Sequence, residues 1–172
     1  MKPNQIKILK FGFNYGLITG GIGILYTVLL IFTNKLYDQS LTKSLTGLVL
    51  LILPVILAIV NFKKQNNNDL SVGQAIGVGI VTALTAALIT ILFTLILTNF
   101  IVPDFWDKSA EYNSMLMKQQ TPNITAEQLQ NKIASQRKLA WITYPFILLF
   151  NLAIGFITSL IAGIALKTTE KM

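Results

Sequence analysis

Residues 70–103 read LSVGQAIGVGIVTALTAALITILFTLILTNFIVP, 34 positions without one Asp, Glu, Lys or Arg. A helix rises about 1.5 Å per residue and a bilayer's hydrocarbon is about 30 Å thick, so about 20 apolar residues cross it. This run exceeds that length and leads straight into the one long polar stretch of the chain. Outward from it, charge-free intervals of 24, 19 and 28 residues occupy 11–34, 44–62 and 139–166. Strands of a membrane barrel would alternate with period two, and these runs do not. The fold class read from this pattern is all-α, a polytopic four-transmembrane-helix bundle. It forms a single membrane domain over 1–172, with spans at about 11–33, 45–62, 74–102 and 142–166. Between the last two spans, residues 103–140 predict an extramembrane helical hairpin.

Composition narrows the chemistry. The 172 residues are 53% hydrophobic and 12% charged, half the charge of a typical soluble domain, about 25%. There is no Cys and no His, which removes disulfides, thiolate chemistry and the commonest metal ligand and general base. The net charge of +7 comes from bases that mostly flank the apolar runs, where they set topology and meet anionic head groups. No basic–aromatic array reads nucleic acid, so membrane lipid is the expected partner.

Small residues recur at four-residue spacing along three spans. Gly12, Gly16 and Gly20 share one face of the first, and Gly21 and Gly23 are read as widening that groove. In the third span Ala75, Gly79, Ala83 and Ala87 form one row and Thr82, Ala86, Thr90, Thr94 and Thr98 another. Asn151, Gly155, Ser159 and Gly163 repeat in the fourth. Such small-xxx-small rows let helix backbones approach closely, and two rows make the third span the packed centre. Pro54 stands mid-helix in the second span, where it removes a backbone hydrogen bond. Ser71 with Gln74, and Thr125 with Gln128, are capping-box signatures. Trp106, Trp141 and Tyr144 suit an aromatic belt at one interface.

No span has an ionisable residue in its middle, which argues against a proton relay or an intramembrane protease. Asn14, Asn99 and Asn151 are the most polar groups near the membrane. No catalytic constellation and no cofactor is expected. Asp104, Asp107 and Glu111, at i, i+3 and i+7, are the weak candidates for a Ca²⁺ or Mg²⁺ site. Acids opposing a helix dipole explain the same pattern with nothing added. Asn123-Ile124-Thr125 matches the glycosylation sequon.

The N-terminus, the 63–69 loop and the C-terminus share one side with seven bases and two acids, against seven bases and five acids opposite. The bases of the first side sit in short stretches against the helices, which predicts both termini in the cytoplasm. A weak echo between LLIFTN at 29–34 and TLILTN at 94–99 suggests two parallel two-helix halves, an arrangement known in transporters.

Lys10-Phe11-Gly12 with Tyr15-Gly16-Leu17-Ile18-Thr19-Gly20, and Ser71-Val72-Gly73-Gln74-Ala75 leading the third span, resemble a bacterial membrane family. So do Pro103-Asp104-Phe105, Thr125-Ala126-Glu127-Gln128 and the Gly155/Gly163 last helix. It is the family catalogued as domain of unknown function 4199. The resemblance covers essentially the whole chain and implies a four-helix protein of the bacterial inner membrane. It implies no activity. The small-residue faces and the lack of reactive groups then predict a non-enzymatic accessory protein, working as a homo-oligomer or with a membrane-protein partner. The alternative is a small transporter or channel for a neutral or weakly polar solute, lined by Thr82, Thr90, Thr94, Asn151 and Ser159. A lipid or envelope enzyme using the 104–111 carboxylates is the third option.

Overall fold

Short polar caps decide where the helices begin and end. The structure, a computed structural model, describes residues 3–121 and 124–168. Helix α1 runs Pro3–Phe32 and α2 runs Leu41–Gln65. Both stop on an asparagine in the left-handed region, Asn34 at φ 54° and Asn67 at φ 56°. Asparagine tolerates that conformation better than most side chains. One residue on, the N–H groups of Lys35 and Asn68 close back on Leu30 O at 2.8 Å and Lys63 O at 3.0 Å. This Schellman closure satisfies carbonyls that the helix end would leave unpaired.

Helix α3, Val72–Ile96, opens on the Ser71–Gln74 capping box, with both reciprocal bonds formed. It passes into a π-helical turn, Leu97–Ile101. The helical path ends there because a residue preceding proline is pushed out of the α region. Val102, just before Pro103, sits at φ −134° and ψ 74°. Helices α4, Phe105–Gln120, and α5, Ala126–Lys138, form the hairpin, and α5 starts on the complete Thr125–Gln128 capping box. A 3₁₀ turn, Ala140–Ile142, leads into α6, Thr143–Leu166. Pro145 falls in the first turn of α6, where its missing N–H costs nothing. Pro54 is buried within α2, which remains helical on both sides of it.

Among the described residues four helices are long and apolar enough to cross a membrane, and the protein is a polytopic membrane bundle. α1 and α2 run further than the charge-free intervals, because Lys7, Lys10, Lys63 and Lys64 end the apolar span without ending the helix. Lys2, Pro122, Asn123 (with the sequon it begins) and Lys171 lie outside the described residues. The echo between 29–34 and 94–99 does not extend to structure. Asn34 terminates α1, whereas Asn99 lies inside the π-helical turn and donates to Leu95 O at 2.7 Å.

α3 sits between α1 and α6. Gly12 meets Val78 and Val81, Gly16 meets Thr82 and Thr85, and Gly20 meets Ile89, so α1 and α3 run parallel. A Cβ added at Gly16 would stand 2.8 Å from Thr82 O. On the other side α6 runs antiparallel. Gly155 abuts Ala83, Ser159 abuts Gly79, and Gly163 faces Ala75. Ala87 is buried as well. Gly21 and Gly23 do not join these faces, since a Cβ on either would meet nothing within 4 Å.

α2 closes the bundle unevenly. Its Val55, Ala58, Ile59 and Phe62 pack with Leu70, Ala75, Val78 and Ala162, and Phe62 meets Phe11 edge-on at 5.6 Å. At that end Thr168 accepts from Leu70 N–H at 2.8 Å, returns its own N–H to Leu70 O at 2.9 Å, and donates its hydroxyl to Asn68 O. Lys63 Nζ donates to Leu166 O at 2.8 Å. The first half of α2, by contrast, buries nothing before Leu51. Beyond it lies the hairpin, where Asp107 pairs with Arg137 at 2.9 Å across α4 and α5. The Tyr37 ring packs on Phe105 at 5.7 Å, and Gln39 Nε2 donates to Asn113 Oδ1, docking α4 on the α1–α2 link.

Two glycines on α1 separate packing from mere composition. Gly16→Ala is expected to lower stability by about 1–3 kcal/mol, as overpacking does, because Thr82 O is backbone and cannot rotate away. Gly21→Ala, with open space around it, should be neutral or slightly stabilising. Unfolding titrations in mild detergent compare the two; equal midpoints would refute the close α1–α3 approach.

Candidate binding cavity

Where the first half of α2 parts from its neighbours, a cavity of about 830 Å³ opens at the hairpin end. That is within the usual range for small-molecule sites, about 300–1,000 Å³. α1 lines it with Thr19, Gly23, Tyr26, Thr27 and Leu30, all on one helical face. Lys43, Gly47 and Leu51 come from α2, Thr90 from α3, and Phe150 and Asn151 from α6. Gly23 and Gly47 both line the space, and a Cβ at either meets nothing within 4 Å.

Its polar groups are oriented from within their own helices. Thr19 donates to Tyr15 O at 2.7 Å, Thr27 to Gly23 O at 2.9 Å and Thr90 to Ala86 O at 2.9 Å. Each hydroxyl proton is thereby occupied, and the oxygen lone pairs remain as acceptors. Asn151 Nδ2 donates to Ile147 O at 2.8 Å, which leaves its carbonyl oxygen and a second N–H. The cavity therefore offers several acceptors, one amide and a majority of apolar wall.

The lip is built by the start of α2. Ser40 caps the helix, accepting from Lys43 N–H. Asp38 in turn accepts from the Ser40 hydroxyl at 2.8 Å and the Ser40 N–H at 2.9 Å. Those two bonds, the hydroxyl first, hold the Asp38 carboxyl below the usual carboxylate range, with Lys43 and Lys35 adding to the effect. The half-buried Lys43 points its Nζ at Leu36 O, 2.6 Å away, and Tyr26 OH donates to Lys43 O at 3.4 Å. Nearby, burial pushes the Tyr37 phenol up, with the Asp104 charge adding to it.

Of the residues expected to line a solute path, Thr90 and Asn151 come together here. Thr82 and Ser159 are fully buried at the α1–α3 and α3–α6 contacts. Thr94 donates to Thr90 O within α3 and does not line the cavity. Sequence reasoning missed Thr19, Gly23, Thr27 and Gly47. Thr19, Gly23 and Thr27 do stand four apart, but of that row only Gly23 is singled out by the sequence reading, as widening the Gly12, Gly16 and Gly20 groove.

The acidic triplet is not assembled. Asp104 pairs with Lys108 at 2.6 Å, a contact that raises the Lys108 pKa, and Asp107 is held by Arg137. Glu111 is exposed on the next turns of α4. Among the described residues no three carboxylates gather as a metal site. α4 carries its own cation four residues after Asp104 and α5 supplies another, so Asp104 and Asp107 are paired separately.

The model of a family described as "Protein of unknown function (DUF4199)" matches residues 14–168. The chain belongs to this family. The match runs from the Gly16 face through the hairpin to the end of α6. No curated protein and no solved structure matches the chain. Family membership transfers no activity, so the cavity has to be read on its own chemistry.

Two outcomes test its geometry. Because the chain has no Cys, single substitutions report access directly: Gly47→Cys and Asn151→Cys should react with a membrane-impermeant thiol reagent, while Thr82→Cys and Ser159→Cys resist it. Failure of both cavity positions to react would mean that no water enters. The lip should also respond to acid. The folded-state pKa of Asp38 is lowered, so its contribution is full above the ordinary carboxylate value and is lost as pH falls through the folded one. The protection factor of the Lys43 amide, its exchange rate taken relative to the intrinsic rate at each pH, should therefore fall on acidification in the wild type and be insensitive to pH in Asp38→Asn.

Proposed function

We propose that this is a non-enzymatic membrane protein that takes a neutral or weakly polar solute into the hairpin-end cavity, as a small transporter or carrier. The observation carrying this reading is the pair of cavity glycines. Glycine inside a helix is unfavourable by about 1 kcal/mol relative to Ala in water, and at Gly12, Gly16, Gly20, Gly79, Gly155 and Gly163 its use is close contact with a neighbouring helix. Gly23 and Gly47 touch nothing and instead enlarge the space. The lining suits a solute with an apolar body and one or two hydrogen-bond donors, which the threonine oxygens and the Asn151 carbonyl would accept. No charge lies deep in the cavity, and Asp38 and Lys43 keep to the lip.

The accessory-subunit reading rested on small-residue faces open to a partner. Those faces on α1, α3 and α6 are occupied by one another. Association with a second copy or another membrane protein would need a different surface. The dense basic flanks at the end bearing both termini support a cytoplasmic N- and C-terminus in the inner membrane, which turns the cavity and the hairpin to the outer side.

Gly47→Leu projects an apolar side chain into the cavity from a position whose added Cβ meets nothing within 4 Å. Proteoliposomes carrying the wild type should swell in a neutral polyol measurably faster than protein-free vesicles, and Gly47→Leu should remove most of that excess while keeping the wild-type unfolding midpoint. Equal swelling of the two proteins, or no excess over bare vesicles for a panel of neutral solutes, would overturn the reading.

A further inference from the structure

The opposite end of the α1–α2 seam holds a second, separate groove of about 620 Å³. α1 lines it with Lys7, Lys10, Phe11, Asn14, Tyr15 and Ile18, and α2 with Asn61, Phe62, Gln65 and Asn66. No carboxylate is among these residues, and neither Lys7 nor Lys10 makes an ion pair among the described residues. Both lysines are exposed.

The polar wall is arranged for an anion. Asn61 Nδ2 donates to Leu57 O at 3.0 Å and to Tyr15 OH at 2.8 Å. Both amide protons are thereby engaged, and the phenol, fixed as an acceptor, keeps its own proton to donate. The two ammonium groups, the Tyr15 hydroxyl and the Asn14 and Gln65 amides then supply donors around one space.

The groove also has a direction. Lys7 and Ile18 are eleven residues apart on α1, a rise of about 16 Å. The polar end holds Lys7, Lys10, Gln65 and Asn66, and toward the bundle's middle Phe11, Phe62 and Ile18 share the wall with Asn14, Tyr15 and Asn61. A free phosphate would fill only the first part. A phospholipid matches both, because its headgroup sits at the membrane boundary and its chains continue inward. Basic pockets between transmembrane helices are known sites for anionic headgroups.

We propose that this groove binds one anionic phospholipid, its phosphate held by Lys7, Lys10 and Tyr15 and the upper part of an acyl chain lying along Phe11, Phe62 and Ile18. The site is independent of the hairpin-end cavity and stands or falls separately from it.

Native mass spectrometry of the full-length protein in mild detergent tests this, with titration of phosphatidylglycerol, phosphatidylcholine of the same chains, or inorganic phosphate. A single tight phosphatidylglycerol adduct is expected, and Lys7→Gln/Lys10→Gln should weaken it about thirtyfold, from the usual contribution of two lysines near an anionic surface. Tyr15→Phe should weaken it less. The charge-matched control Lys64→Gln/Lys167→Gln removes two exposed lysines from the same end that do not line the groove, and it should retain the adduct. The proposal is overturned if the control loses as much affinity as the groove variant, or if phosphatidylcholine binds equally well. It is overturned too if inorganic phosphate competes away the lipid at comparable concentration, which would make the site one for a soluble anion.

Discussion

The close approach of α1 and α6 to the backbone of α3 is the constraint from which the rest of the bundle follows. In lipid there is no hydrophobic force between helices, so association depends on van der Waals contact and on a few polar bonds. Glycine at 12, 16 and 20 brings α1 against α3, and the Gly79–Ser159 and Gly155–Ala83 contacts do the same for α6. α3 is thereby covered on two sides by helices that cannot shift without steric overlap. α2 must fit the side that remains. It does so over Val55–Phe62, where Leu70, Ala75 and Ala162 meet it, and it parts from the bundle over its first half, where nothing before Leu51 is buried. The hairpin-end cavity is a consequence of that asymmetry, and Pro54 stands just inside the packed half.

The same physics explains what could be read from the sequence. Charge-free length gives the spans, because the cost of placing a charge in hydrocarbon depends on the residue itself. The capping boxes at Ser71 and Thr125 are likewise local, needing only four residues, and both are formed. The centrality of α3 was legible too, since a helix with two small-residue rows has two close neighbours. Helix length was not, because lysine ends a span but continues a helix. The partner of Asp107 was illegible for a non-local reason: Arg137, thirty residues away, arrives from α5.

The cavity was illegible for a deeper reason. A glycine that permits contact and a glycine that leaves space are the same letter. Gly16 and Gly23 are distinguished only by what α3 and α2 place opposite them, a backbone carbonyl in one case and nothing in the other. Threonine divides in the same way, with Thr82 sealed at a helix contact and Thr90 two turns away in the cavity wall. Periodicity finds the row, but only the neighbouring helix assigns its role.

Charge at the two ends of the bundle shows the same dependence on partners. Counted along the sequence, each side carries seven bases, and the tally is even. In the structure Lys43 and Lys63 are both taken up by backbone carbonyls, one at each end. At the hairpin end Lys108 and Arg137 are further matched by Asp104 and Asp107, so two of the bases there sit in ion pairs. At the other end Lys7 and Lys10 stand on one face of α1 beside a groove with no acid in its wall. Exposed pairs contribute little stability, but pairing decides what a distant anion sees. Equal counts of bases therefore meet five acids on the hairpin side and two on the other, a polarity that comes from where the acids lie rather than from how many bases there are.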